Sequence, residues 1–250
     1  MIGRADVHRG VTLRSILFLA ISMVALAALL ALGTWQINRL HWKEDLIATI
    51  NERVASEPRP LSDVQMRLRS SGDVDYWPVE VEGEFHHEGE RHFFATHRGQ
   101  SGYYVYTPME LDDGRFILVN RGFVPFEQKD QATRVQGQVE GRQTVVGLAR
   151  NKLVEKPSVI VPDNDPAKNV FYWKDLDVMA QTSGVGAASD YVEFFVDANE
   201  APNPGGLPVG GVTIIDMPNN HLQYAITWYG LAVALAGVLG AWAWRQTRKP

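Results

Sequence analysis

Two long apolar blocks interrupt an otherwise polar chain, and they decide its class. The first runs from Ser15 to Asn38 without a formal charge, and its centre, Ile16 to Leu32, is almost wholly aliphatic. That is about 24 residues, where about 20 suffice to cross a bilayer core. The second, Leu222 to Trp244, is also free of formal charge. The pattern predicts transmembrane helices over 15–38 and 221–244. A cleaved signal peptide competes for the first block, but its apolar region is only about 7–15 residues long. Here the run is longer and passes straight into Trp35, a residue type at home at membrane interfaces, so an uncleaved anchor is expected.

Between the blocks the pattern changes to short strands. Arg39 to Arg53 first continues in helical composition, with Leu40, Ile47 and Ile50 at helix-like intervals, until Pro58 and Pro60 stop it. Tyr76 to Val81 alternates as a strand does, and His87-Glu88-Gly89-Glu90 reads as a hairpin turn into Arg91 to Thr96. Gly102 to Leu111 and Arg115 to Val119 form a second hairpin around Asp112-Asp113-Gly114. Thr144 to Ala149, Tyr191 to Val196 and Gly211 to Ile215 are further strands, Asp175 to Gln181 a short helix, and Pro202 to Gly211 a flexible connector. The expected fold is an α+β membrane protein: two transmembrane helices flanking one mainly antiparallel β extramembrane domain over 39–220.

Charge sets the orientation. Arg4, Arg9 and Arg14 precede the first block, and Arg245, Arg248 and Lys249 follow the second. Cationic flanks stay on the cytoplasmic side, which predicts cytoplasmic tails at 1–14 and 245–250. The domain then faces a periplasm or a mitochondrial intermembrane space. Nothing in the N-terminus reads as a long Arg/Ser-rich transit peptide, which favours a bacterial inner membrane over the mitochondrial one.

Composition removes several functions. The net charge of −5 argues against a nucleic-acid partner. The absence of cysteine excludes disulfides, thiolate metal sites and a cysteine nucleophile. No G-x-S-x-G, S-x-x-K, H-E-x-x-H or phosphate-cradling glycine loop is present, so an enzyme, such as an anchored hydrolase, is not expected. The short tails are read as leaving no room for a cytoplasmic signalling domain. His86, His87, His92 and His97 crowd together with Glu84, Glu88 and Glu90, a set that suits zinc or copper. On a strand over Arg91 to His97, His92 and His97 point to opposite faces, and a solvated hairpin explains the cluster as well.

The membrane boundary is richer. The topology brings Trp35, Gln36, Arg39 and Trp42 to the same interface as His221, Tyr224 and Trp228. On helices, Trp35, Arg39 and Trp42 share one face, as do His221, Tyr224 and Trp228. Imidazole ligates haem iron, and the guanidinium fork suits a carboxylate such as a propionate. Interface aromatics, a histidine at a helix start and a snorkelling arginine account for the same residues without a ligand. Small residues recur at four-residue spacing (Ala27 and Ala31; Ala232, Ala236 and Gly240) and would let helices approach closely.

These boundary residues carry a resemblance. The stretch Leu32-Gly33-Thr34-Trp35-Gln36-Ile37-Asn38-Arg39-Leu40-His41-Trp42-Lys43 resembles the signature at the first span of the surfeit locus protein 1 family. His221-Leu222-Gln223-Tyr224-Ala225-Ile226-Thr227-Trp228-Tyr229 is similar to its second signature. Gly83-Glu84-Phe85, the run Leu118 to Pro125 and Asn169 to Trp173 look like its internal motifs, in the same order. The resemblance implies an assembly factor for haem-copper cytochrome c oxidase. It implies binding of haem a, handover to subunit I, and haem a synthase or other assembly factors as partners. It also implies His221 as the ligand to haem iron, with Tyr224, Trp228, Trp35 and Arg39 as cofactor-binding candidates; Trp35, Gln36, Arg39 and Tyr224 match the family pattern, as haem contacts or in helix docking. Asn120-Arg121-Gly122 is expected to be structural, a strand end where glycine permits a tight bend. The competing expectation is a haem-independent scaffold that stabilises an oxidase assembly intermediate.

Overall fold

The computed structural model of the chain describes residues 13–213, 215 and 217–248, so Arg4, Arg9 and Lys249 lie outside the described residues. The chain divides into two compact units, one built from 1–49 and 216–250 and the other from 50–215.

The first unit rests on two helices. Helix α1 runs unbroken over Leu13–Val54. At about 1.5 Å per residue that is about 63 Å, roughly twice a bilayer's hydrocarbon core. One helix therefore contains both the predicted span and its predicted continuation, and it ends ahead of Pro58. The last helix, α4, covers His221–Thr247. Both are long and apolar enough to cross a membrane. Their apolar side chains are bare, with Val24 70% and Val233 73% exposed. Water would penalise that surface and hydrocarbon does not.

The second unit is a β domain. Strands β1 (Arg59–Pro60), β2 (Pro78–Phe85), β3 (Arg91–His97), β4 (Gln100–Leu111), β5 (Phe116–Pro125), β6 (Arg142–Asn151) and β7 (Tyr191–Ala198) form one sheet in the order β1-β2-β6-β7-β5-β4-β3. A further pairing, Gly83↔Leu111 to Phe85↔Met109, joins β2 to β4 and closes five strands into a ring. Most neighbours are antiparallel, but β5 and β7 run parallel near the sheet's centre. All five ring strands supply one buried cluster, among them Val79, Met109, Ile117, Ala149 and Phe194, and Val64 of helix α2 (Leu61–Ser71) joins it. Phe116 and Leu118 point the other way, into a second cluster completed by Phe171 and by Leu176 and Met179 of helix α3 (Leu176–Thr182). Both faces of β5 are thus covered, which is why it reads as a continuous apolar run.

Several sequence expectations change. The β4–β5 hairpin forms as predicted, with Gly114 at φ 77° and the Leu111 N–H donating to Arg115 O. The turn at His87–Gly89 exists, but β2 and β3 do not pair; each pairs with β4 instead. Tyr76 lies outside the strand with φ 64°, and β2 starts at Pro78. No strand forms over residues 211–213 and 215, and Ile214 lies outside the described residues. Helix α2 was not expected, although Leu61, Val64 and Leu68 share a face and Gly72 caps it in the left-handed region at φ 69°. The Pro/Gly segment 202–211 is not a free connector, because Val209 exchanges two backbone hydrogen bonds with Phe123.

Asn120-Arg121-Gly122 is structural, but it lies inside β5 rather than at its end. Asn120 Nδ2 donates to Asp197 Oδ1 at 2.9 Å, and Asn120 Oδ1 accepts the Gly122 N–H at 3.1 Å. Gly122 holds φ 126°, and a Cβ there would lie 2.0 Å from Val209 O. Backbone strain of this kind costs about 1–3 kcal/mol before any clash is counted. Gly122→Ala is expected to lower the melting temperature of the purified full chain by several degrees; an unchanged melting temperature would contradict this packing.

Candidate functional site

The two helices of the first unit meet along a narrow seam. On α1 the shielded positions Ser22, Leu26, Leu29, Gly33 and Gln36 recur at alternating steps of four and three. On α4 His221, Ala225, Trp228, Ala232, Leu235, Leu239 and Trp242 do the same. Alternating four–three spacing keeps one stripe of a helix facing its partner. Phe18 meets Trp242 with ring centroids 5.5 Å apart, Gly33 meets Tyr229, and Gln36 meets His221. Rising numbers on one helix thus meet falling numbers on the other, so the pair is antiparallel.

Gly33 sets the closeness of approach: a Cβ there would lie 2.8 Å from the Tyr229 ring. Thr34 Oγ1 donates to Leu30 O at 3.0 Å and lies 3.0 Å from Tyr229 Oη. A hydroxyl has one proton to give, so Tyr229 donates to Thr34. Further along the seam, His221 Nδ1 lies 2.7 Å from Gln36 Oε1. The His221 backbone N–H is also met by Asn219 Oδ1 at 3.4 Å, close to the limit for such a bond. Among the described residues His221 Nε2 has no hydrogen-bond partner.

The expected site residues divide between two surfaces. His221 and Trp228 lie on the seam. Trp35, Arg39 and Tyr224 lie outside it and are exposed. Arg39 stacks on Trp42, its Cζ 3.6 Å from the ring centroid. Stacking uses the flat face of the guanidinium, and among the described residues its N–H edge has no hydrogen-bond partner. Gln36, expected at this interface as a haem contact or in helix docking, is the residue that touches His221. Of the small residues chosen there, only Ala232 is buried; Ala27, Ala31, Ala236 and Gly240 are exposed.

The histidine cluster of the β domain is not a solvated hairpin. His86 does sit near the surface, between Glu110 Oε2 at 2.8 Å and Glu88 Oε1 at 3.1 Å. Glu90, however, is fully buried and takes two N–H groups of Arg134, with Arg121 3.8 Å away. His87 Nε2 lies 2.8 Å from the carbonyl oxygen of Val139, and its Nδ1 lies 3.2 Å from Arg121 Nη1 and 3.7 Å from Glu90 Oε1. Burial raises the Glu90 pKa, but His87 and Arg134 outweigh it and hold the carboxyl at about 2. Burial pushes the His92 imidazole down from 6.5 to about 4, despite the carboxylate of Glu90 3.8 Å away. Among the described residues neither ring nitrogen of His92 has a hydrogen-bond partner. No group of three histidine or acidic side chains among the described residues is placed to hold a metal ion.

Comparison with known proteins adds a family match. The model of the SURF1 family matches residues 23–233, which span both helices and the β domain. Surfeit locus protein 1 of Rattus norvegicus is 40% identical over 225 residues, 83% of this chain and 70% of the relative. Surfeit locus protein 1 of Homo sapiens is 40% identical over 221 residues, 81% and 70%. A SURF1-like protein of Monosiga brevicollis is 39% identical over 219 residues, 82% and 80%.

The buried ion cluster makes stability depend on pH. His92 binds a proton more readily unfolded than folded, so stability falls as pH drops from 6.5 to about 4. At about 1.4 kcal/mol per unit this limb is worth on the order of 3 kcal/mol. Glu90 adds a second loss, from its ordinary 4.5 down to about 2. Chemical denaturation of the full chain between pH 7 and 4 is expected to lose most of this slope in His92→Phe, which sacrifices no hydrogen bond. Glu90→Gln is expected to destabilise by about 3–5 kcal/mol at pH 7, because it leaves Arg134 buried without its counter-charge. A pH slope unchanged in His92→Phe would refute the first assignment, and an unshifted midpoint in Glu90→Gln the second.

Proposed function

The chain belongs to the SURF1 family, and on that footing we propose that it is an assembly factor for haem-copper cytochrome c oxidase that holds haem a at the outer membrane interface and assists its insertion into subunit I. The observation that carries the haem part is His221. It stands at the first turn of α4, beside Gln36, with one ring nitrogen unpartnered among the described residues.

The surrounding side chains fit such a ligand. His221 offers an imidazole nitrogen to iron. Arg39 keeps an unused N–H edge, which suits a propionate carboxylate. Exposed Trp35 and Tyr224 offer flat apolar surface for a macrocycle, and Trp228 follows Tyr224 about one turn later on α4. Bound there, haem a would supply a redox-active iron, with the His221 imidazole as the nitrogen that would hold it. A single protein ligand holds weakly enough to release, which suits a carrier.

Antiparallel spans put both chain ends on one side of the membrane, and the basic residues Arg14, Arg245 and Arg248 mark that side as cytoplasmic. Residues 50–215 then face a periplasm, with the mitochondrial intermembrane space as the equivalent compartment. Subunit I, haem a synthase and further assembly factors are the partners this role requires. A haem-independent scaffold draws support from a different observation: Val154, Val159 and Ile160, between β6 and α3, are almost wholly bare. Such apolar surface is typical of contact with another protein.

Visible absorption of the detergent-purified full chain, co-expressed with haem a synthesis, separates the two readings. Haem a bands in the intact protein, lost or shifted in His221→Ala, are expected. Equal haem content and spectrum in both would remove His221 as the ligand. No haem in the intact chain, with oxidase assembly still dependent on it in cells, would establish the scaffold instead.

A further inference from the structure

We propose that Gln36 is a positioning residue that fixes which nitrogen of His221 is offered to the ligand; the proposal rests on His221 being the haem ligand. The amide oxygen of Gln36 lies 2.7 Å from His221 Nδ1. A carbonyl oxygen only accepts, so Nδ1 must carry the proton. In a neutral imidazole the other nitrogen, Nε2, then holds the free lone pair. Among the described residues that nitrogen has no partner. In water the neutral side chain favours the opposite arrangement, with the proton on Nε2 and the lone pair on Nδ1. The contact therefore selects a state that solvent does not.

The seam makes this selection rigid. Gln36 is buried to the edge of full enclosure at 9% exposure. Three residues before it, Gly33 admits the Tyr229 ring, and between them Thr34 accepts the Tyr229 hydroxyl. These contacts set the height of α4 against α1, and so the height of His221 against Gln36. The amide also polarises the imidazole: donation from Nδ1–H strengthens Nε2 as a ligand, the way outer partners strengthen ligating histidines. Gln36 comes from the other span, so ligand strength depends on the two helices staying paired. A client helix that wedged the pair apart would free Nδ1–H and weaken the ligand at the moment of transfer.

The test uses the haem-free full chain with 15N-labelled histidine, at a pH where His221 is neutral. Two-bond 1H–15N correlations assign each ring nitrogen as protonated or bare, and comparison with His221→Ala identifies the His221 signals. Protonated Nδ1 and bare Nε2 are expected in the intact chain and in Gln36→Glu, which keeps an acceptor. Gln36→Met, of similar size without one, is expected to shift the pattern towards protonated Nε2. Titration with haem a should then show affinity falling about tenfold or more in Gln36→Met and largely retained in Gln36→Glu. Protonated Nε2 in the intact chain, or an unmoved pattern in Gln36→Met, would overturn the proposal. So would affinity equal in Gln36→Met and the intact chain. An intact chain with the expected protonation that takes up no haem a would instead defeat His221 as ligand, leaving the hydrogen bond correctly assigned.

Discussion

The antiparallel pairing of α1 with α4 is the constraint on which the candidate site depends. Neither helix carries the site alone: Gln36, Arg39 and Trp35 belong to one, His221, Tyr224 and Trp228 to the other. In hydrocarbon there is little hydrophobic gain from helix association, so packing and a few polar contacts must decide the register. Gly33 against Tyr229 provides the packing, and Tyr229–Thr34 and His221–Gln36 provide the polar contacts. Each such hydrogen bond contributes only about 0.6–2 kcal/mol. Two of them, beside a glycine notch, still discriminate strongly against a slip of one turn, because a slip breaks both and drives the tyrosine ring into a side chain.

The β domain solves a different problem. A ring closed by the β2–β4 pairing has no free edge within those five strands. Its costly feature is the Glu90–Arg134 pair with Arg121, His87 and His92 packed around it. A buried ion pair of this kind seldom adds net stability over apolar packing, yet it penalises any arrangement that separates its members. Glu90 precedes β3, Arg121 is in β5, and Arg134 follows β5, so the pair ties together segments that the sheet alone would leave to slide.

Much of this was legible in sequence where the signal is local. The two apolar blocks, the helical continuation past Arg39, the Asp113-Gly114 turn and the Asp175 cap of α3 all follow from short-range chemistry. Helix α2 is legible too, in the spacing of Leu61, Val64 and Leu68 before Gly72; α1 ends ahead of Pro58 as expected, and Pro60 also serves as the N-cap of α2. The parallel β5–β7 pairing and the ring closure depend on residues far apart in the chain, and no local pattern encodes them. The same holds for Glu90, whose partner Arg134 lies in a separate 3-10 segment. In the helices, the four-residue repeat of small residues points to Ala27, Ala31, Ala232, Ala236 and Gly240, of which only Ala232 is buried. The buried stripe follows alternating steps of four and three, and it adds Ser22, Gly33 and Ala225 to Ala232. The same steps run on from Gly33 to Gln36.

The natural sequence has no cysteine, so the helix register can be measured on a clean background. Paired cysteines placed at Gln36→Cys with His221→Cys, and at Phe18→Cys with Trp242→Cys, should each cross-link within one chain on mild oxidation of membranes. The outward-facing pair Trp35→Cys with Tyr224→Cys should cross-link far less. If the outward pair formed its disulfide efficiently and the two seam pairs did not, the helices would meet on other faces. His221 would then have no Gln36 beside it.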